Sequence, residues 1–569
     1  MKRLFLPLLA LGLLGAAAPP QYDIVIRGGT IYDGSGGKPY IGDVAVKGDR
    51  IVAIGSHLSG IGTSEIDARD KAVSPGFINM LAHPEESLLV DGRALSDLTQ
   101  GVTLEVMGEI SMGPLNPAMK SELLAQQGDV DYPIDWTTLG EYLDKLGQRK
   151  IAPNVATFVG AGTIRQYVLG SNDVEPTPAQ LAEMQKLTRE AMEQGALGLT
   201  DALIYTPATF AKTSELIALA KVSAQCGGIY TVHMRSEGDR LEEAVHETIE
   251  IAKASGAPAE IYHFKQAGRD NWGKIDAVIR MINDARVNGT RISANMYTYT
   301  AGATGLDAAM PSWVQAGGIQ AWIARLRDPA TRARVKAEME NPHPETWENL
   351  YAGAGPDGML LLAFKNPTLK PLTGKTLAQV ARMRGKSPEE TAMDLVVEDG
   401  TRVGVAYFLM SEDNVRKAIR QPWMSFGSDE AAPAPEGAFL LAKSHPRAYG
   451  NFARLLGHYV RDTKDITLAD AVRRLTSLPA DNLSLTDRGR LKEGNFADIV
   501  VFDPATIQDH ATYEQSAILS TGVSDVLVNG GFALRDGKAT GADTGRIVRG
   551  RAATSGGCRV SARDWSWSK

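Results

Sequence analysis

Two stretches decide the fold: Ile229-Tyr230-Thr231-Val232-His233 and Ala259-Glu260-Ile261-Tyr262-His263. Each is a short apolar run that ends on a histidine. Each also follows a segment of helical period stopped by glycine, over 214–226 before Gly227-Gly228 and over about 240–254 before Gly256. The two histidines stand thirty residues apart, about one strand–helix repeat. Strands that alternate with helices in this way build a parallel α/β sheet. If the sheet closes into a barrel, the C-terminal ends of its strands share one mouth, where the chemistry of such folds sits. Two histidines at matching points of consecutive repeats can therefore share a metal ion.

The same alternation extends from Pro75 to Leu478. Upstream, Pro178 to Gln194 reads as a helix with proline just inside its start and Gly195 just past its end. The run from Pro75 to His83 enters the first strand, and the run from Gly101 to Glu109 reads as the second, with Glu109 at its end. Trp423-Met424-Ser425-Phe426 is a late strand ending in Gly427-Ser428-Asp429, which places Asp429 to take a proton from an attacking water. Lys265, two residues past His263, shares its face if the strand continues. A span of about 400 residues suits an eight-stranded barrel with insertions better than a doubly wound sheet. Residues 305–420 are helix-rich, too long for one loop, and read as an inserted lid.

The chain ends carry a different period. Asp43 to Lys47 and Arg50 to Ile54 alternate around Gly48-Asp49, which suits a tight hairpin, and Ala497 to Phe502 and Val526 to Val528 repeat the pattern with turns at Asn529-Gly530 and Asp536-Gly537. Segments 22–74 and 485–555 are expected to pair into one small β-sandwich beside a barrel over 75–480, with a tail at 556–569. Residues 1–18 read as a secretory signal: Lys2 and Arg3, an apolar run, then Ala16-Ala17-Ala18. The mature protein is then secreted or periplasmic, with no stable membrane span.

Composition narrows the chemistry. The 569 residues are 43% hydrophobic and 22% charged, ordinary for a globular chain. With 60 Lys+Arg against 67 Asp+Glu the net charge is −7, which leaves no basic excess for nucleic acid. Two cysteines exclude a cysteine-based zinc cluster, so a metal must be held mainly by histidine and carboxylate. Whether Cys226 and Cys558 pair is left open, as is the oligomeric state.

These motifs, together with the opening Tyr-Asp-Ile-Val-Ile-Arg-Gly-Gly-Thr, Pro75-Gly76-Phe77-Ile78, His233 through Asp239, Tyr297 through Gly302 and His445-Pro446-Arg447-Ala448-Tyr449-Gly450, resemble the amidohydrolase superfamily, and within it the N-acyl-D-amino-acid deacylases. The resemblance implies a distorted (β/α)8 TIM barrel plus a β-sandwich formed by both chain ends. It implies zinc as cofactor, held by His233 and His263, with Asp429 as general base. Lys265, Tyr297 and Arg447 would bind the substrate's α-carboxylate, with Tyr299 as the alternative to Tyr297. The substrate would be a small N-acyl amino acid or a peptide-like amide.

Three departures qualify the match. The usual Asp-x-His-x-His is Asn79-Met80-Leu81-Ala82-His83, so Leu81 replaces one ligand, and His83 reads equally as a ligand or as a partner of one. The family's cysteine after the second strand is absent, which assigns its place to Glu109. Glu430 stands where the family has glycine after the catalytic aspartate. Together these predict one tightly bound zinc on Glu109, His233 and His263, with the second site weakened or lost. Rival readings are a D-residue dipeptidase or cyclic amidase on the same scaffold, and a ligand-binding relative without turnover.

Overall fold

The structure is a computed structural model that describes residues 21–558. The expected signal at 1–18 and the end of the tail, 559–569, lie outside the described residues.

Eight parallel strand positions surround the barrel axis: Phe77–Ala82, Val102–Met107, Asn154–Thr157 continued by Val159–Gly160, Gly198–Ala202, Ile229–His233, Ala259–Ile261, Ile292–Met296 and Met424–Phe426. Their residues are buried throughout, which explains why they read as continuous apolar runs rather than alternating ones. The ladder is broken at Phe158. The first three strands pair as one sheet, and the fourth to eighth, begun by Val159–Gly160, pair as another. The eighth strand returns beside the first, where the Asp429 amide donates to the Leu81 carbonyl at 2.9 Å. The barrel is thus an eight-stranded, distorted one.

The helices between strands follow their local signals. Pro178–Gln194 starts on a capping box between Thr177 and Gln180, and Leu241–Ser255 ends at Gly256 in the left-handed region, φ 78°.

Both chain ends meet in one β domain. Strands between Tyr22 and Pro75 join strands between Ile499 and Ala539 in a continuous nine-stranded sheet, the junction being the antiparallel pairing of Ile499 with Pro75 and Phe502 with Ala72. Alternation sorts the junction strand: Ile499 and Val501 face the core of this domain, whereas Val500 and Phe502 join the core of the barrel. The β domain is thereby fixed to the barrel through the two faces of a single strand.

The insertion follows the seventh strand and has its own antiparallel sheet (Ala301–Gly305, Gly404–Phe408, Met359–Ala363) and its own hydrophobic cluster, including Leu306, Trp322, Met393 and Tyr407. Its limits correct the expected 305–420. The sheet begins at Ala301, and Val415, Ala418 and Ile419 of the helix Glu412–Ile419 pack in the barrel core, so the inserted unit ends near Leu409. Cys226, at the end of the helix Thr213–Gln225, is bonded to Cys558 and ties the tail to the barrel wall. Among the described residues no helix is long and apolar enough to cross a membrane.

Candidate metal centre and active site

Glu109 sits at the centre of the mouth. One of its oxygens, Oε1, lies 3.0 Å from His233 Nδ1 and 2.7 Å from His263 Nε2, and the other lies 3.7 Å from His83 Nε2. His83 Nε2 in turn meets Asp429 Oδ1 at 3.1 Å. The donors form two groups that share Glu109: Glu109, His233 and His263, and His83, Glu109 and Asp429, with the ligand atoms of each within 4.8 Å of one another.

The backbone brings these groups together at a cost. Glu109, His263 and Asp429, each just past the end of its strand, have φ of 65°, 33° and 54°. Non-glycine residues seldom occupy this left-handed region, and it persists where surrounding structure enforces it. Gly108, just before Glu109, and Gly427, two residues before Asp429, are glycines for a packing reason. A Cβ on Gly108 would stand 2.4 Å from the Tyr262 hydroxyl, and one on Gly427 would stand 2.7 Å from the Leu81 nitrogen. Leu81, fully buried, fills the space between these two glycines.

The electrostatics suit a cation. Burial opposes charging of His83 and His263, yet the surrounding carboxylates pull both rings up to about 9. Burial also opposes ionisation of Glu109, but His233 and His263 hold it well below the usual carboxylate range. Asp429 behaves likewise: against its burial, Arg447, His263 and His83 keep it low. Negative potential strong enough to recruit protons to histidine also favours a divalent ion at the same point. His233 Nε2 is buried without a hydrogen-bond partner. The residues present therefore fit a metal: two imidazoles and a carboxylate, the hard-to-borderline donor set of catalytic sites that keep a position open.

Glu237, four residues beyond His233, is the residue that sequence reasoning passed over. Its buried carboxylate takes the Lys265 ammonium at 2.7 Å and lies 2.9 Å from His263 Nδ1. A carboxylate behind a ligating imidazole fixes its tautomer and orientation. The i+4 spacing from His233 was the available signal, though without the helix or strand register it had no direction. Lys265 is thus not a free cation: it is held between Glu237 and His263 Nδ1, 2.6 Å away.

Arg447 lies across the mouth, buried, with Nη1 2.7 Å from Asp429 Oδ2 and Nε 3.5 Å from Glu430 Oε1. Neither nitrogen is aligned for a hydrogen bond, so both keep donors for a further anion. The negative charge expected from Glu430 is therefore countered by Arg447. The guanidinium covers the Tyr297 ring at 4.5 Å, and Tyr297, not Tyr299, lines the cavity; the Tyr299 hydroxyl is turned to Asp509. His445 is a support: its Nδ1 accepts the Arg447 amide and its Nε2 meets the Ala301 carbonyl. All the expected site residues (His83, Glu109, His233, His263, Lys265, Tyr297, Asp429 and Arg447) line one cavity of about 650 Å³, together with Glu85, whose carboxyl burial pushes up to about 7.

A parallel barrel with a histidine–carboxylate centre at its C-terminal mouth defines a metal-dependent hydrolase class. Residues 64–533 match the amidohydrolase family, and the chain belongs to it. Within it the chain is 32% identical to a D-aminoacylase of Alcaligenes xylosoxydans xylosoxydans over 538 residues, 94% of this chain and 98% of the relative. Two solved structures align with 93% of the chain at a TM-score of 0.77. One, 31% identical and covered over its whole length, is a D-aminoacylase with a binuclear metal centre that shows one-metal activation and second-metal attenuation. The other, 29% identical and 99% covered, is the N-acyl-D-glutamate deacylase of Bordetella bronchiseptica complexed with zinc and a phosphonate mimic of the tetrahedral intermediate. The protein is a metal-dependent amidohydrolase of the D-aminoacylase kind.

Proposed function

We propose that the protein hydrolyses N-acyl-D-amino acids to a carboxylate and a free D-amino acid, using one zinc ion. The observation that carries this reading is the convergence on Glu109 of His233 and His263, with Asp429 and Arg447 facing them across the same cavity. Glu109, His233 and His263 would hold the metal, which when bound supplies Lewis-acid polarisation of the scissile carbonyl and acidifies water.

The protein's own groups do the rest. Asp429, kept ionised by Arg447, accepts the proton of the attacking water and returns it to the departing amine. Arg447, whose Nη1 and Nε pair electrostatically with Asp429 and Glu430 but make no aligned hydrogen bond, offers those N–H groups to the substrate's α-carboxylate, and Tyr297 and Lys265 border the same place. Such an anchor favours a linear amide with a free carboxylate over a cyclic one. The D configuration is supported by the relatives' activities.

Elemental analysis combined with an assay panel tests the reading. We expect one tightly held zinc per chain and release of D-amino acids from N-acyl-D substrates, with L enantiomers, D-residue dipeptides and cyclic imides turned over far more slowly. Preference for a dipeptide or imide would move the activity to that class, and ligand binding without turnover of any amide by zinc-loaded protein would make it a non-catalytic relative.

Export to an oxidising compartment belongs to the same proposal. It is supported by the Cys226–Cys558 disulfide, a bond that persists outside the reducing cytosol. Mass spectrometry of protein recovered from the source cell's periplasm or medium, with an N-terminus cut after the Ala16-Ala17-Ala18 region, is the expected result.

A further inference from the structure

The cavity is larger than its reacting groups require. Toward the ends of the sixth to eighth strands stand Lys265, Tyr297 and Arg447. Past the end of the second strand, the loop after Glu109 and the helix Pro117–Gln126 supply Met112, Leu115, Met119 and Leu123, and the helix Ile319–Arg325 of the insertion supplies Ile319 and Trp322. These six apolar side chains line the same 650 Å³ space beside Glu122 and Gln126 of the same helix, and the Glu122 carboxylate is taken up by the Ile319 amide and by Gln166 Nε2. Met119 and Leu123, four residues apart, present one face of their helix to it. The insertion is fastened over this limb by the Gly317 amide on the Ser171 carbonyl, 2.7 Å, and by the Ile319 amide on Glu122, 3.4 Å.

Barrel topology fixes which part of a substrate enters the limb. In an eight-stranded barrel the second strand lies opposite the sixth, so the apolar limb and the carboxylate anchor flank the metal donors from opposite sides. An N-acyl amino acid bears its carboxylate and side chain on the same carbon, on the nitrogen side of the scissile bond. Its acyl chain leaves from the carbonyl in the other direction. With the carboxylate on Arg447 and the carbonyl over Glu109, His233 and His263, the acyl chain points into the limb.

We propose that this limb is an acyl subsite and that the substrates carry an extended, fatty-acyl chain rather than acetyl. The inference rests on the reading of the site as an N-acyl amino acid hydrolase. In the reaction the carbonyl C–N bond breaks, a C–O bond forms from water, and both protons of the water end on the nitrogen, one by way of Asp429 and the other from the new carboxyl group; the products are a fatty-acid anion and the ammonium form of the amino acid.

The test is a series of one D-amino acid acylated with acetyl, butanoyl, octanoyl and dodecanoyl groups, on the zinc-loaded full chain. We expect kcat/KM to rise about fourfold per methylene, the equivalent of ~0.8 kcal/mol for each buried CH₂, until the limb is filled. Met119→Trp and, at the more exposed position on the same face, Leu123→Trp are expected to flatten the series at the long end. Measurable hydrolysis with a flat series, or with acetyl preferred, overturns the subsite while leaving the reading of the reaction intact. Hydrolysis of none of them overturns the reaction. The limb is then judged by binding alone, with acetate to dodecanoate titrated against tryptophan fluorescence. Affinity that rises with chain length and is lost in Leu123→Asp supports an acyl-binding limb, and affinity independent of length or unchanged in that variant refutes it.

Discussion

The two donor groups that share Glu109 are unequal, and the inequality shows what makes a metal site. Around Glu109, His233 and His263 the protein has built a supporting set: Glu237 and Lys265 paired with each other and both against His263 Nδ1, with burial on every side. Around His83, Glu109 and Asp429 the support is of another kind, a cation on Asp429 rather than a carboxylate behind a histidine. His83 is half-buried, Asp429 is engaged by Arg447, and the apolar Leu81 packs beside them between Gly108 and Gly427. Donor atoms alone therefore do not rank the two; the groups that orient them do.

The sharpest way to break the comparison is to remove what both groups share. Glu109→Ala is expected to take metal content to background and to lower turnover ~10⁴-fold or more, a loss of ~5 kcal/mol or above of transition-state stabilisation, measured by elemental analysis beside steady-state kinetics. Asp429→Asn separates the groups: metal stays on the first, while kcat falls by ~10²–10⁴-fold because the proton acceptor is gone. Retention of near-full rate would remove Asp429 from its role. Glu237→Gln leaves all donors in place and loosens only their support, so metal affinity is expected to fall roughly 10–100-fold in competition with a chelator. Leu81→His attempts to equalise the groups, and the expected outcome is a second, weaker equivalent of metal in equilibrium dialysis.

The smallest effect concerns the barrel beneath the weaker group. Glu105, fully buried beside Asn79 with one oxygen unpartnered, has its carboxyl pushed up to about 8, first by burial. Folded Glu105 keeps its proton where the unfolded chain, at about 4.5, has lost it. Its contribution to stability is therefore fully present below about 4.5 and is lost as pH rises toward 8. Glu105→Gln mimics the protonated form, so its melting temperature should match the parent's in acid and exceed it by a few degrees at pH 8.

Much of this was legible in the sequence, for identifiable reasons. Strand-terminal histidines one repeat apart give the barrel and its mouth together, because period and chemistry coincide at His233 and His263. The β domain was legible from turn chemistry: Asn529-Gly530 and Asp536-Gly537 both adopt positive φ between antiparallel strands. Glu237 was not, since its partners His263 and Lys265 come from the next repeat and only the folded register brings them within reach. Nor was the true end of the insertion. The helix Glu412–Ile419 is as polar in sequence as its neighbours, and only packing assigns Val415 and Ile419 to the barrel. The apolar limb is likewise assembled from segments some two hundred residues apart, Met119 and Trp322 among them, and no local pattern joins them.

The left-handed backbone at Glu109, His263 and Asp429 has a consequence for how such a protein tolerates change. Each of these positions would be more comfortable as glycine, so three residues of the candidate site are also places where the fold is held short of its most stable form. Random stabilisation of this chain, by drift or by directed selection for heat resistance, is thus drawn toward substitutions in the proposed site itself, and selection for robustness must be coupled to selection for turnover.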